Sequence, residues 1–164
     1  MTSSVPKLHN RIFRERLVDA VTLAEIGICI IEILKSVQAS GEERIGFVSG
    51  IITSDGERSI DLNLRRLAGY TEFLRETNDF PIFSATDIFD EELIKRIGYH
   101  EEERWMSFWK SVLISGHITD LFMTPRWRDS RGANGEYKAG MEIKMKIHDM
   151  ENHPDLVAIM NSHR

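Results

Sequence analysis

Residues 45–52 read Ile-Gly-Phe-Val-Ser-Gly-Ile-Ile, a short, nearly unbroken apolar run without a single charge. A run of that length suits a strand covered on both faces, because a half-exposed strand alternates apolar with polar residues. Strands of that kind belong to parallel sheets, whose neighbouring strands need a long crossover between them. The chain supplies one. A polar loop at residues 53–58 leads into Ile60, Leu64, Leu67 and Leu74 at helical spacing, with Asn78 and Asp79 as a stop. Residues 80–86 then read as a second strand, and strand, helix, strand in that order takes a right-handed crossover by default.

The alternation continues. Residues 90–115 are helical in pattern, in two pieces divided at Gly98, and their run Glu101, Glu102, Glu103, Arg104 reads as a solvated face. Residues 118–124 form a third strand, and the loop 125–132 feeds a helix from Ala133 to about His148. The tail, 149–164, carries one weak apolar stretch at 156–160, a short helix or a last strand. Strands alternating with helices define a doubly wound α/β domain. Ahead of it, Leu8, Ile12, Leu17, Val21, Ala24, Ile28, Ile31 and Leu34 recur at helical spacing. They predict one long helix or two, bent near Gly27 and stopped at Ser40 and Gly41. The second half is apolar around much of its circumference (Ile26, Ile28, Ile30, Ile31, Ile33), which suits deep burial or contact with another subunit. The chain thus divides into a helical extension, 1–43, and an α/β domain, 44–164.

Charge and composition narrow the function. A formal charge of −5 leaves no basic excess to neutralise a nucleic-acid polymer, while single nucleotides remain suitable ligands. Cys29 is the sole cysteine, so neither an internal disulfide nor a thiolate zinc site is expected, and the cytoplasm is the expected compartment. The apolar stretch 26–34 is interrupted by Gly27 and Glu32 and is far shorter than a membrane span. Six scattered histidines offer no helix-borne metal pair, and neither metal nor cofactor is expected.

In an open parallel sheet, ligands bind beyond the carboxyl ends of the strands. Three segments qualify: Ser49-Gly50, where glycine allows close approach to the backbone; residues 84–87, with Asp87; and residues 125–136. The last is the richest. Arg126, Arg128 and Arg131 lie within six residues, a positive cluster of the size of one phosphate. Glu136 is expected in the first turn of the following helix, where backbone N–H groups keep a carboxylate ionised for attack or electrostatic stabilisation. Ser130, Arg131 and Gly132 suit an anion at that helix terminus, or equally a plain turn. Trp127 is expected either to stack on a base or to cover the core.

The segment 120–136, Asp-Leu-Phe-Met-Thr-Pro-Arg-Trp-Arg-Asp-Ser-Arg-Gly-Ala-Asn-Gly-Glu, resembles the nucleoside 2-deoxyribosyltransferase-like superfamily, and most of all its small uncharacterised branch. Members of that branch read Asp, an apolar strand, Pro-Gly-Trp, Ser-Arg-Gly-Ala and then Glu. The resemblance extends over residues 45–147 in element order. It implies a flavodoxin-like or Rossmann-like sheet with flanking helices, here with an extra N-terminal helix. It also implies cleavage or transfer at the N-glycosidic bond of a nucleoside 5′-monophosphate or nucleoside. The glutamate matching Glu136 would attack the anomeric carbon, and a serine at the place of Ser130 would help hold a 5′-phosphate. A homodimer or larger homo-oligomer is implied as well.

Two positions depart from the pattern. Ser49-Gly50-Ile51 stands where relatives carry Ala-Gly-Pro or Gly-Gly-Pro, and no carboxylate lies near Val112, where they carry a base-orienting aspartate. Asp87, Asp90 or a glutamate from 101–103 would have to replace it. The alternative expectation is therefore a non-catalytic nucleotide-binding or interaction protein using the same cleft.

Overall fold

The computed structural model describes Leu8 and residues 10–163. In chain order it contains α1 (Asn10–Arg16), α2 (Leu23–Ala39), β1 (Gly46–Ser49), α3 (Ile60–Thr77), β2 (Ile82–Ser84), α4 (Glu91–Ile97), α5 (Glu102–Leu113), β3 (Asp120–Met123), α6 (Arg131–Glu142), β4 (Lys146–Asp149) and α7 (Pro154–Ser162). The four strands form one all-parallel sheet in the order β2-β1-β3-β4. This is an α/β, flavodoxin- or Rossmann-like architecture, as the alternation of apolar runs and helical stripes requires.

Residues along each strand alternate between two cores. Phe47, Phe83, Leu121 and Met123 point to one face, where they meet Phe13, Ile26, Ile30, Leu34, Trp109, Val112 and Ala133. Val48, Ile82 and Phe122 point to the other, against Leu67, Tyr70, Leu74 and Leu156 of α3 and α7. The first two helices therefore share a core with the sheet: Phe13 packs on Phe83 at 5.3 Å between ring centroids, and Phe83 meets Phe47 edge-on at 5.2 Å. Most apolar positions of α2 are buried, yet Ile28 is 60% exposed, as are neighbouring Val18 and Val21 at 62% and 52%. A ring of apolar residues around a helix thus resolves into one internal face and one outward isoleucine.

Two boundaries differ from the sequence expectation, each for a local reason. The N-terminal helices break between Leu17 and Thr22, not at Gly27, which lies inside α2 beside the Phe108 ring. Thr22 caps α2 by accepting from the Glu25 N–H at 3.2 Å. The turn's carbonyls at Leu17 and Ala20 each accept from the Arg96 guanidinium at 2.8 Å. Second, the helix expected to run to His148 stops at Glu142, where Lys144 takes a left-handed φ of 59° and turns the chain into β4. As an edge strand, Lys-Ile-His-Asp is partly exposed and shows no apolar run. The tail takes the first of its two expected forms, the short helix α7, with His153 capping and Pro154 in its first turn. Gly98 does divide α4 from α5, with φ 80°.

The sheet order places the site. From β1 the chain crosses to α3 on one face, whereas from β3 it crosses to α6 on the other, so the carboxyl ends of β1 and β3 are the topological switch point, where the binding crevice of such a sheet lies.

Candidate functional site

β1 ends at Ser49 and β3 at Met123, and the next residue, Thr124, ties the two ends together. Its N–H and hydroxyl both donate to the Ser49 carbonyl, at 3.1 and 2.8 Å. A Cβ on Gly50 would collide with the Thr124 hydroxyl. Glycine at position 50 therefore serves the approach of the neighbouring strand, where the sequence pointed to the approach of a ligand.

Held in that register, the buried Ser49 hydroxyl donates a hydrogen bond to the carboxyl of half-buried Glu136. Helix α6 begins at Arg131, two residues earlier than expected, so Glu136 lies in its second turn, beyond the free N–H groups. Its carboxyl is accordingly not held ionised by the helix terminus. Loss of hydration pushes it up to about 7, against the Ser49 hydrogen bond, which pulls it down. The result is an acid whose ionised fraction changes across the neutral range.

The other candidates are engaged in the scaffold. Ser130 is buried and caps α6, accepting from the Ala133 N–H at 3.1 Å, with Gly132 between them in the first turn. Trp127 is only 4% exposed. Its indole N–H donates to Asp149 at 3.0 Å, and its ring lies between Tyr137, stacked at 4.9 Å, and the Arg128 guanidinium at 4.4 Å. Of its two expected roles, covering the core is the one the packing fills. Asp87 is buried after β2, paired with Arg75 at 2.6 Å and accepting from the Ser84 N–H. Burial pushes its carboxyl up despite Arg75. Asp90 caps α4, and Glu102 pairs with Arg131 at 3.0 Å.

The three arginines do not form a bare positive cluster. Arg126 pairs with Asp55 and Asp129, Arg128 with Asp149 and Glu151, and Arg131 with Glu102. Charges adjacent in sequence have been answered by carboxylates from three other segments and by Asp129 of their own. Two of the residues closing the crevice, Ser54 and Asp55, come from the loop after β1 that the sequence marked only as polar. The Ser54 hydroxyl accepts from the Arg131 N–H at 3.2 Å, and Asp55 also accepts from Asn63 at 3.3 Å. No local motif signals them, because their partners are some seventy residues away.

At the opposite end of β3, Asp120 is structural. Burial pushes its carboxyl up, but Arg44 at 2.7 Å, the Thr119 hydroxyl and His148 at 2.8 Å outweigh that and hold it down at about 2. His148 in turn lies flat on Phe122, 4.4 Å between ring centroids. Among the described residues, no group of three or more His, Cys, Asp or Glu side chains is arranged to hold a metal ion. Among them, too, no helix is long and apolar enough to cross a membrane.

Fold and site together define a Rossmann-like α/β protein with a serine–glutamate pair at the topological switch point of its sheet. No family model, curated protein or solved structure matches the chain.

Proposed function

We propose that the protein cleaves or transfers the N-glycosidic bond of a nucleoside 5′-monophosphate or nucleoside, with Glu136 as nucleophile. The observation that carries this is the hydrogen bond from Ser49 to Glu136 at the crevice between β1 and β3. A carboxylate on one face of the sugar stabilises an oxocarbenium-like transition state and, as in retaining glycosidases, forms a glycosyl ester while the N-glycosidic bond breaks and the base leaves with that bond's electron pair, taking a proton from water. The Ser49 hydroxyl orients the carboxylate and favours its ionised form. Water, or a second base, resolves the ester. No metal or cofactor takes part in these steps.

Incubation with a panel of nucleoside 5′-monophosphates and nucleosides, followed by chromatography for free base, tests the proposal. Base release that disappears in Glu136→Gln while ligand binding persists supports it. Binding without release in the parent protein would falsify it.

That outcome is what a second reading expects: a nucleotide-binding or interaction protein without turnover. The favouring observation is Val112, fully buried in α5 where a base-orienting carboxylate would be needed. We also propose a cytoplasmic homodimer or larger homo-oligomer. Exposed Val18, Val21 and Ile28 support an interface between subunits, and light scattering of the full chain against an Ile28→Asp variant tests it.

A further inference from the structure

We propose that Arg126 is the phosphate-recognition residue of the crevice, and that Asp55 occupies it as an internal stand-in for a phosphomonoester until the ligand arrives. The inference rests on the nucleotide reading above and gives its phosphorylated ligand a contact that the sequence motif did not supply.

Arg126 follows Pro125 directly, at the carboxyl end of β3. Its backbone is left-handed, φ 65° and ψ 18°, a conformation that disfavours every residue with a Cβ. Position 126 suits glycine, yet it carries a long cation. Residues in such a conformation cluster at functional sites as well as at turns like that of Lys144. The side chain is 43% exposed and grips Asp55 as a fork, Nη2 to Oδ1 at 3.0 Å and Nη1 to Oδ2 at 3.2 Å, while its Nε faces Asp129 at 3.4 Å. Two parallel N–H···O bonds are also how arginine takes a phosphate.

Arg128 and Arg131 are placed differently. Arg128 is tied to Asp149, the same carboxylate that fixes the Trp127 indole, and Arg131 reaches sideways to Glu102 on α5. Arg126 instead lines a hollow of about 10 Å³ with Gly50, Asn63, Tyr70 and Pro125. That space holds about one water and is too small for a phosphate, so a phosphate that takes the Arg126 fork must displace Asp55 from it.

Asp55 is well placed to leave. It lies in a loop whose residues 53–58 are all exposed, next to Gly56 at φ 96°, and its own side chain is 21% exposed. Its remaining anchors are Asn63 and the neighbouring contact from the Arg131 N–H to Ser54. A partly exposed ion pair is weak, and a phosphomonoester brings more charge and three acceptor oxygens.

Calorimetric titration of the full chain with ribose 5-phosphate, and with ribose as the uncharged control, reads this contact without any base to release. Asp55→Asn, which removes the competing charge, is expected to bind ribose 5-phosphate about tenfold more tightly. Arg126→Gly, which suits the left-handed backbone and so retains the fold, is expected to bind it at least about tenfold more weakly, with Arg126→Lys between. Ribose itself should show none of these shifts. The assignment is overturned if Asp55→Asn binds equally or less well, if Arg126→Gly matches the parent, or if neither the parent nor Asp55→Asn binds ribose 5-phosphate. Base release is followed on the same preparations. The expected shifts without turnover sink the N-glycosidase reading alone, and turnover without the shifts sinks the role of Arg126 alone.

Discussion

The Ser49 hydroxyl donates to the Glu136 carboxyl across 87 residues of chain, joining the end of β1 to the second turn of α6. Because this bond pulls down a carboxyl that burial has pushed up to about 7, its loss must raise the group further. In the parent protein the rate of base release should climb with pH around 7 as Glu136 ionises. In Ser49→Ala the climb should move to higher pH, with a drop of roughly tenfold or more at pH 7. A pH–rate profile unchanged by Ser49→Ala would remove the serine from the mechanism.

The same carboxyl makes a stability prediction. Its folded-state value, about 7, lies above its ordinary value of 4.5, so between them the unfolded chain binds fewer protons and stability falls as pH rises. The cost is absent below pH ~4.5 and complete above pH ~7, at most about 3 kcal/mol. Glu136→Gln removes the ionisation and should melt higher than the parent at pH 8 but not at pH 4. Thermal melting at the two pH values checks this, and parallel curves for both proteins contradict it.

Asp120 has the opposite sign. Held down at about 2 against an ordinary 3.8, it stabilises the fold above pH ~4, a contribution lost as pH falls towards 2. Asp120→Asn should cost about 2 kcal/mol at pH 7 and leave a shallower acid limb, since Arg44 and His148 lose their shared partner. Urea denaturation between pH 2 and 7 gives both numbers.

Gly50→Ala should be destabilising by about 2 kcal/mol, because its methyl meets the Thr124 hydroxyl. Thr124→Ala removes that hydroxyl while the Thr124 N–H continues to donate to Ser49. The double variant should therefore be more stable than Gly50→Ala alone, an interaction that a double-mutant cycle measures. Additive losses would show that the close approach of the strands is not what position 50 requires.

Trp127→Phe keeps the ring between Tyr137 and Arg128 but loses the bond to Asp149, at a cost of about 1 kcal/mol. Its KM values across nucleotides with different bases should match the parent's, since the indole is enclosed. A change confined to one base would restore Trp127 to the ligand.

Much of the fold is written locally. The uncharged run around Phe47 and Val48 can only be a strand covered on both sides, and Ile60, Leu67 and Leu74 fall on one helical stripe. What eluded the pattern has equally local causes. Strand β4 stands at an edge, so Ile147 faces the core while Lys146 and Asp149 are exposed, and four such residues carry no periodic signal. The helix break before Thr22 is a cap and a turn, whose partner Arg96 is far along the chain.

By itself, then, the sequence determined the α/β architecture and the two cores, since burial of apolar side chains follows spacings of two and 3.6 residues that are visible in one dimension. It also brought out Glu136, through a motif. Only the tertiary structure decided which groups are free to act. It enclosed Trp127, gave Ser130 to a helix cap, answered three arginines with distant carboxylates, and set Ser49 against Glu136. The physical reason is that hydrogen bonds and ion pairs are satisfied by whatever lies within about 3 Å in space, and the fold brings those partners from anywhere in the chain.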